Sequence, residues 1–146
     1  MANALNVARF LLYLAQRDDQ ISDLSNLKLQ KLLYYAQLTN FQRKNSALFE
    51  DSLEAWQFGP VVRSVYEHFK SHGSRPIKHE FNPDDVQHLI KNISREEAEV
   101  ILETWNNYKN KSAWELVEAS HNEKPWRESW FNNQKIIDED LLTSRT

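Results

Sequence analysis

The sequence predicts a mainly α fold: a compact single-domain bundle of about six helices, with at most a small β-hairpin before Gly59-Pro60. Three observations carry this expectation. Apolar residues recur at helical spacing in several separate segments. Helix-start signals of the Asn-Pro-Asp-Asp and Ser-x-x-Glu kinds precede three of those segments. No alternation of strand-like and helix-like stretches is present, which argues against an α/β sheet.

Taken in order, the first helix runs from about Asn3 to Arg17, with Val7, Phe10, Leu11 and Leu14 as its stripe. Leu5, Ala8, Leu12 and Ala15 nearly fill the remaining faces, so this helix is expected to be buried centrally. Ser25 or Asn26 caps a second helix running to Ala36, with Leu29, Leu32, Leu33 and Ala36 turned inward. Lys28 and Lys31 stand three residues apart on the opposite side, which reads as a solvated basic face. Residues 41–51 read as a polar connector, and Leu48-Phe49 with Leu53 could form one arm of a hairpin against Ala55–Phe58. Trp56 and Phe58 alternate with Gln57, as in a short strand with one inward face.

Gly59 is one of only two glycines, and Pro60 follows it at once. Glycine accepts backbone angles that other residues avoid, and proline loses nothing at the first position of a helix. The pair therefore reads as a corner, with a third helix starting at Pro60 and carrying Val61, Val65 and Phe69 inward and Val62 and Tyr66 beside them. It ends near Gly73, placed for a left-handed cap. Asn82-Pro83-Asp84-Asp85 opens a fourth helix bearing Val86, Leu89, Ile90 and Ile93. Ser94…Glu97 and Ser112…Glu115 are capping boxes for two more, one with Ala98, Ile101, Leu102 and Trp105, the other with Leu116, Val117 and Ala119. The domain is expected to span 1–137, with 138–146 a frayed polar tail.

Composition narrows the function. Hydrophobic content of 40% and charged content of 27% describe an ordinary globular chain, and no apolar run reaches the length of about 18 residues that a membrane span needs. No basic n-region opens the chain and there is no Cys, so a cytoplasmic protein without disulfide or thiolate chemistry is expected. A net charge of −3 weighs against nucleic acid as the partner, because phosphate neutralisation needs a surplus of Lys and Arg.

Catalytic patterns are weak. His68 and His72 have the i, i+4 spacing of a helical metal pair, with His79 or Glu80 as a possible third ligand, but lack the Glu of a zinc-protease signature. Ser120, His121 and Glu123 have triad residue types without a nucleophile turn. Two glycines cannot build a phosphate cradle. The paired acids Glu96-Glu97 and Asp84-Asp85 sit in first helical turns, where the dipole explains them. No cofactor and no enzymatic activity are expected.

Three segments carry a family resemblance. Leu27-Lys28-Leu29-Gln30-Lys31-Leu32-Leu33-Tyr34-Tyr35-Ala36 resembles the signature helix of the Panacea antitoxin domain. Glu54-Ala55-Trp56-Gln57-Phe58-Gly59-Pro60-Val61-Val62, with Tyr66 after it, is similar to that family's second motif. Ser120-His121-Asn122-Glu123-Lys124-Pro125-Trp126 is similar to the third, with Ser in place of the usual Thr. The resemblance implies a helical bacterial antitoxin, or a relative borne by a prophage or mobile element. Such a protein neutralises a toxin encoded by a neighbouring gene through direct contact. One branch of the family resembles a proteolytic adaptor that delivers its partner to a Clp-type protease, and this stands as the alternative. A metal-dependent enzyme on His68 and His72 is the second alternative. The expected partner surface lies where the three motifs meet: Trp56, Tyr66 and Trp126 as aromatic contacts, Lys28 and Lys31 as a basic rim, and His121 orienting the Pro125-Trp126 turn. Core positions for Trp56, Tyr66 and Trp126 are the competing reading. Gly59, Pro60 and Pro125 are assigned to shape rather than contact.

Overall fold

A computed structural model describes residues 1–143. Among these residues the chain is mainly helical, with one two-stranded hairpin. In order come α1 (Ala4–Gln16), α2 (Asn26–Lys44), β1 (Glu54–Trp56), β2 (Gly59–Val61), α3 (Arg63–Phe69), α4 (Pro83–Asn92), α5 (Arg95–Tyr108), α6 (Ala113–His121) and α7 (Lys124–Phe131). Short 3-10 turns occupy Lys70–His72 and Glu139–Thr143. Among the described residues no helix is long and apolar enough to cross a membrane.

The helix starts follow from local chemistry. Asn82, Ser94 and Ser112 each accept a hydrogen bond from the backbone N–H three residues on, and the acid at that position bonds back to the cap. Glu97 does more, because its second oxygen also accepts from the Ala2 N–H at 2.7 Å and so ties the N-terminus to α5.

The core sits around α2, which touches α1, α3, α5, α6, β2 and the C-terminal 3-10 turn. From Lys28 to Phe41 every residue of α2 is buried. This is why the helix runs eight residues past Ala36: tertiary packing, not an apolar stripe, holds Gln37–Lys44 helical until Asn45 ends it in the left-handed conformation. The polar side chains of α2 are spent on neighbouring loops. Gln37 accepts from the Leu48 N–H at 2.7 Å and donates to the Phe49 carbonyl at 2.9 Å. Asn40 donates to the Ser46 carbonyl at 2.8 Å. Leu48 and Phe49 are thereby clamped into the core instead of forming a hairpin arm.

The hairpin has a different register from the expected one. Ala55 pairs with Pro60 and Trp56 with Gly59, leaving Gln57-Phe58 as a two-residue loop. Gly59 has φ +103°, inside β2, and Pro60 is a strand residue rather than the first residue of a helix. Helix α3 begins only at Arg63, with Val62 as its cap, so Val61 belongs to the strand while Val65 and Phe69 are its buried residues. Gly73 takes a positive φ of 60°, but its ψ of −132° is not that of a left-handed helical cap.

A seventh helix, α7, lies where the sequence was read only as the Pro125-Trp126 turn. Pro125 occupies its first turn and Ser129 Oγ bonds back to the Pro125 carbonyl. Beyond it the chain pairs with β1: the Ala55 N–H donates to the Lys135 carbonyl at 2.7 Å and the Ile137 N–H to the Leu53 carbonyl at 2.9 Å. The segment expected to be frayed instead contributes buried Leu142 from its 3-10 turn, and the last part of that tail, 144–146, lies outside the described residues.

Candidate functional site

The three motifs converge on the hairpin. From below, Lys31 of α2 donates from Nζ to the Pro60 carbonyl at 2.9 Å, and Gln30 Oε1 accepts from the Val62 N–H at 2.9 Å. Gln30 also donates to Asn26 Oδ1, and Asn26 donates to the Tyr66 carbonyl, so the start of α3 is tied to the same helix. From the side, α6 and α7 supply His121 and Trp126. Trp126 Nε1 donates to the Trp56 carbonyl at 2.7 Å. His121 Nε2 lies 3.0 Å from the Gln57 carbonyl; a carbonyl only accepts, so this nitrogen carries the proton. The imidazole stacks on Trp126 at 4.0 Å, and Trp126 stacks in turn on Trp130 at 5.5 Å.

Gly59 marks the closest approach. A Cβ there would stand 2.7 Å from Lys31 Cε and 2.8 Å from Ser120 Oγ, so the glycine is required by space as well as by φ. Glu123 completes the clamp, accepting from the hydroxyls of Tyr34 at 2.8 Å and Tyr35 at 3.2 Å and so fastening the α6–α7 junction to α2.

Electrostatics follow burial. Burial pushes the Lys31 amine down to about 7. Burial also lowers the His121 imidazole; the bond to the Gln57 carbonyl opposes this, and nearby Lys31 adds to it. Burial acts to raise Glu54, but hydrogen bonds from Arg63 and Trp56 outweigh it and hold the carboxyl below its ordinary value. Trp56 is thus fixed between Glu54, which accepts from its Nε1 at 2.9 Å, the Arg63 guanidinium over its ring, and the edge of Tyr66 at 4.9 Å.

Several sequence expectations are corrected here. Lys28 and Lys31 do not form a solvated basic rim; both are fully buried. Lys28 Nζ donates to Asp23 at 2.8 Å and to the Lys109 carbonyl at 2.7 Å, partners that no local pattern reveals. Trp126 is only 5% exposed and belongs to the core, while Trp56 and Tyr66 are half-buried. His121 touches Trp126 by stacking, and its ring hydrogen bond reaches the hairpin loop rather than the Pro125-Trp126 turn. Ser120 donates to the Val117 carbonyl at 2.8 Å, so no nucleophile faces His121. His79 faces Asp85, and no group of three or more His, Asp or Glu side chains converges around His68 and His72, or elsewhere, among the described residues.

The structure adds residues the sequence reading passed over. Phe58, at the hairpin tip, is 47% exposed rather than inward, and it meets the 59% exposed Trp114 edge to face at 5.2 Å. Trp114 shares its helix face with exposed Glu118, one turn on, while buried Leu116 lies on the opposite side; that spacing was the available signal. Trp130 and Phe131 are exposed on α7. A cavity of about 420 Å³ opens beside the tip between Asn26, Lys31, Trp56, Phe58, Tyr66 and Lys70.

The chain is therefore a helical domain built to hold one aromatic hairpin rigidly from two sides. Residues 29–127 match the family described as Antitoxin SocA-like, Panacea domain. The protein is also similar to Antitoxin SocA of Caulobacter vibrioides (strain NA1000 / CB15N), at 35% identity over 112 residues, covering 70% of this chain. It belongs to the SocA-like Panacea antitoxin-domain family. The chain spans 58% of that relative's length. No solved structure matches it.

Proposed function

We propose that this protein is a cytoplasmic antitoxin that neutralises a protein toxin by direct binding through the hairpin tip and its surroundings. The observation that carries the reading is the Phe58–Trp114 pair: two large aromatics held edge to face in solvent, Trp114 on α6 and Phe58 on a hairpin pinned from below by Lys31 and from the side by His121 and Trp126. Rigid exposed aromatics supply contact area with little ordering cost, and Trp and Tyr dominate binding hot spots. Family membership supports a protein toxin as the class of partner.

In this reading Trp56, Tyr66 and His121 form the half-buried walls of the contact surface. Lys31 lies beneath them, and Lys28 and Trp126 keep the scaffold in shape. The role is stoichiometric binding, with no reaction catalysed. The test is co-expression with the product of the neighbouring gene. Co-elution of the two chains, with restored growth of cells making that product, is the expected result. Restored growth that depends on a Clp-type protease, with the partner disappearing, would make the protein an adaptor instead. A harmless neighbour that does not co-elute would refute the antitoxin reading.

A further inference from the structure

Lys31 has an unmet chemical need. An ammonium carries three N–H donors. Lys31 is fully buried, and the Pro60 carbonyl at 2.9 Å is its one hydrogen-bond acceptor among the described residues. Lys28, also fully buried, has both a carboxylate and a carbonyl. In its charged form a buried lysine ordinarily carries a counter-charge, and Lys31 has none among the described residues. It does border the cavity of about 420 Å³ beside the hairpin tip. The other lining residues include Trp56, Phe58 and Tyr66 as aromatic walls and Lys70 at the outer edge, with no Asp or Glu. The protein as a whole carries a net charge of −3, yet no acid lines the cavity, and of its two lysines Lys70 is paired with Glu67 at 3.6 Å while Lys31 has no acid partner among the described residues.

We propose that this cavity is a carboxylate-binding subsite, in which an acidic side chain of a partner polypeptide enters between the aromatic walls and supplies the counter-charge of Lys31. Lys31 is closed off from solvent in this conformation, so contact is made by rotation of its flexible four-carbon stem toward the cavity it lines. A carboxylate suits the site better than a phosphate: Lys70 is already paired with Glu67, so one buried ammonium is left to balance one charge, and a dianion would leave an excess in a low-dielectric space. The polypeptide source is favoured by the exposed Phe58 and Trp114 at the tip, which a free small acid would not use. That choice of carrier rests on the antitoxin reading; the chemistry of the cavity does not.

The test uses isotope-labelled full-length protein and follows the Lys31 side-chain and Trp56 indole resonances. The probes are propionate, propionamide, inorganic phosphate, and two blocked alanine pentapeptides with a central Glu or Gln. The expected result is saturable binding of propionate and the Glu peptide, each tighter than its amide counterpart by about tenfold or more. The Glu peptide binding more tightly than propionate supports the polypeptide source; the reverse order overturns it. Lys31→Met, checked for folding by its melting curve, should bring each acid–amide pair to within about twofold. If that variant does not fold, the wild-type comparison of propionate with propionamide decides alone. Equal binding of acid and amide, phosphate binding more tightly than propionate, or no saturation by about 10 mM of any probe would overturn the proposal. Failure to co-elute with a neighbouring gene product, alongside successful propionate binding, would count against the antitoxin reading and leave the subsite standing.

Discussion

Lys31 should write a distinctive pH dependence into stability. Its amine falls from 10.5 in the unfolded chain to about 7 in the fold, because burial penalises the charged form. Between those values the unfolded chain binds more protons than the folded one, so stability rises with pH across the window. Below about 7 both states are protonated and the penalty is constant; above 10.5 both are neutral and it vanishes. Each pH unit within the window is worth about 1.4 kcal/mol, so the full penalty has an upper size of about 5 kcal/mol. Other lysines and the tyrosines also titrate near the top of this range, and Lys31→Met keeps those contributions while removing this one. The assay is urea unfolding of both proteins at matched ionic strength from about pH 6 to 9.5. The account predicts that wild type gains roughly 3 kcal/mol on the variant between about pH 7.5 and 9.5, and less than about 0.5 kcal/mol between 6 and 7. Parallel curves would refute the desolvated amine. A wild type that loses ground with rising pH would mean that Lys31 is held charged by a partner the structure does not contain.

Other perturbations follow from the same geometry. Trp126→Ala empties a core position and removes the Nε1 hydrogen bond to the Trp56 carbonyl, so it should cost roughly 3–5 kcal/mol and lower the melting temperature by about 10 °C or more. Gly59→Ala must place a Cβ against Lys31 and Ser120 at a φ of +103°; a loss of about 2 kcal/mol or more in denaturant unfolding is expected, and a neutral result would contradict the close packing. Gln37→Ala strands the Leu48 N–H and the Phe49 carbonyl, for an expected loss of roughly 2–4 kcal/mol, with faster amide exchange at Leu48 as its local signature.

Parts of this architecture were legible in the sequence because their causes are local. The caps at Asn82, Ser94 and Ser112 act over four residues, and the structure realises each as a reciprocal pair of bonds. The three motif segments were expected to be neighbours in space, and they do meet at Gly59. What escaped has non-local causes. Helix α2 is buried all round, so its second half has no stripe to mark it, and its polar residues answer loops distant in sequence. Lysines at helical spacing look solvated until Asp23 and the Lys109 carbonyl, or the Pro60 carbonyl, are brought over them. The hairpin register depends on Gly59 fitting against α2 and α6, which strand alternation around Trp56 and Phe58 cannot encode. The same register turns Phe58 outward toward Trp114.

The central claim is that Phe58 at the hairpin tip and Trp114 beside it on α6 bind a protein partner while the buried aromatics hold the hairpin. The most direct measurement pairs complex formation with thermal stability for the double variant Phe58→Ser, Trp114→Ser, co-expressed with the neighbouring gene product. The account predicts that co-elution and growth rescue are lost while the melting temperature stays within about 2 °C of wild type, since neither side chain is part of the core. A double variant that still binds and still rescues growth would contradict it.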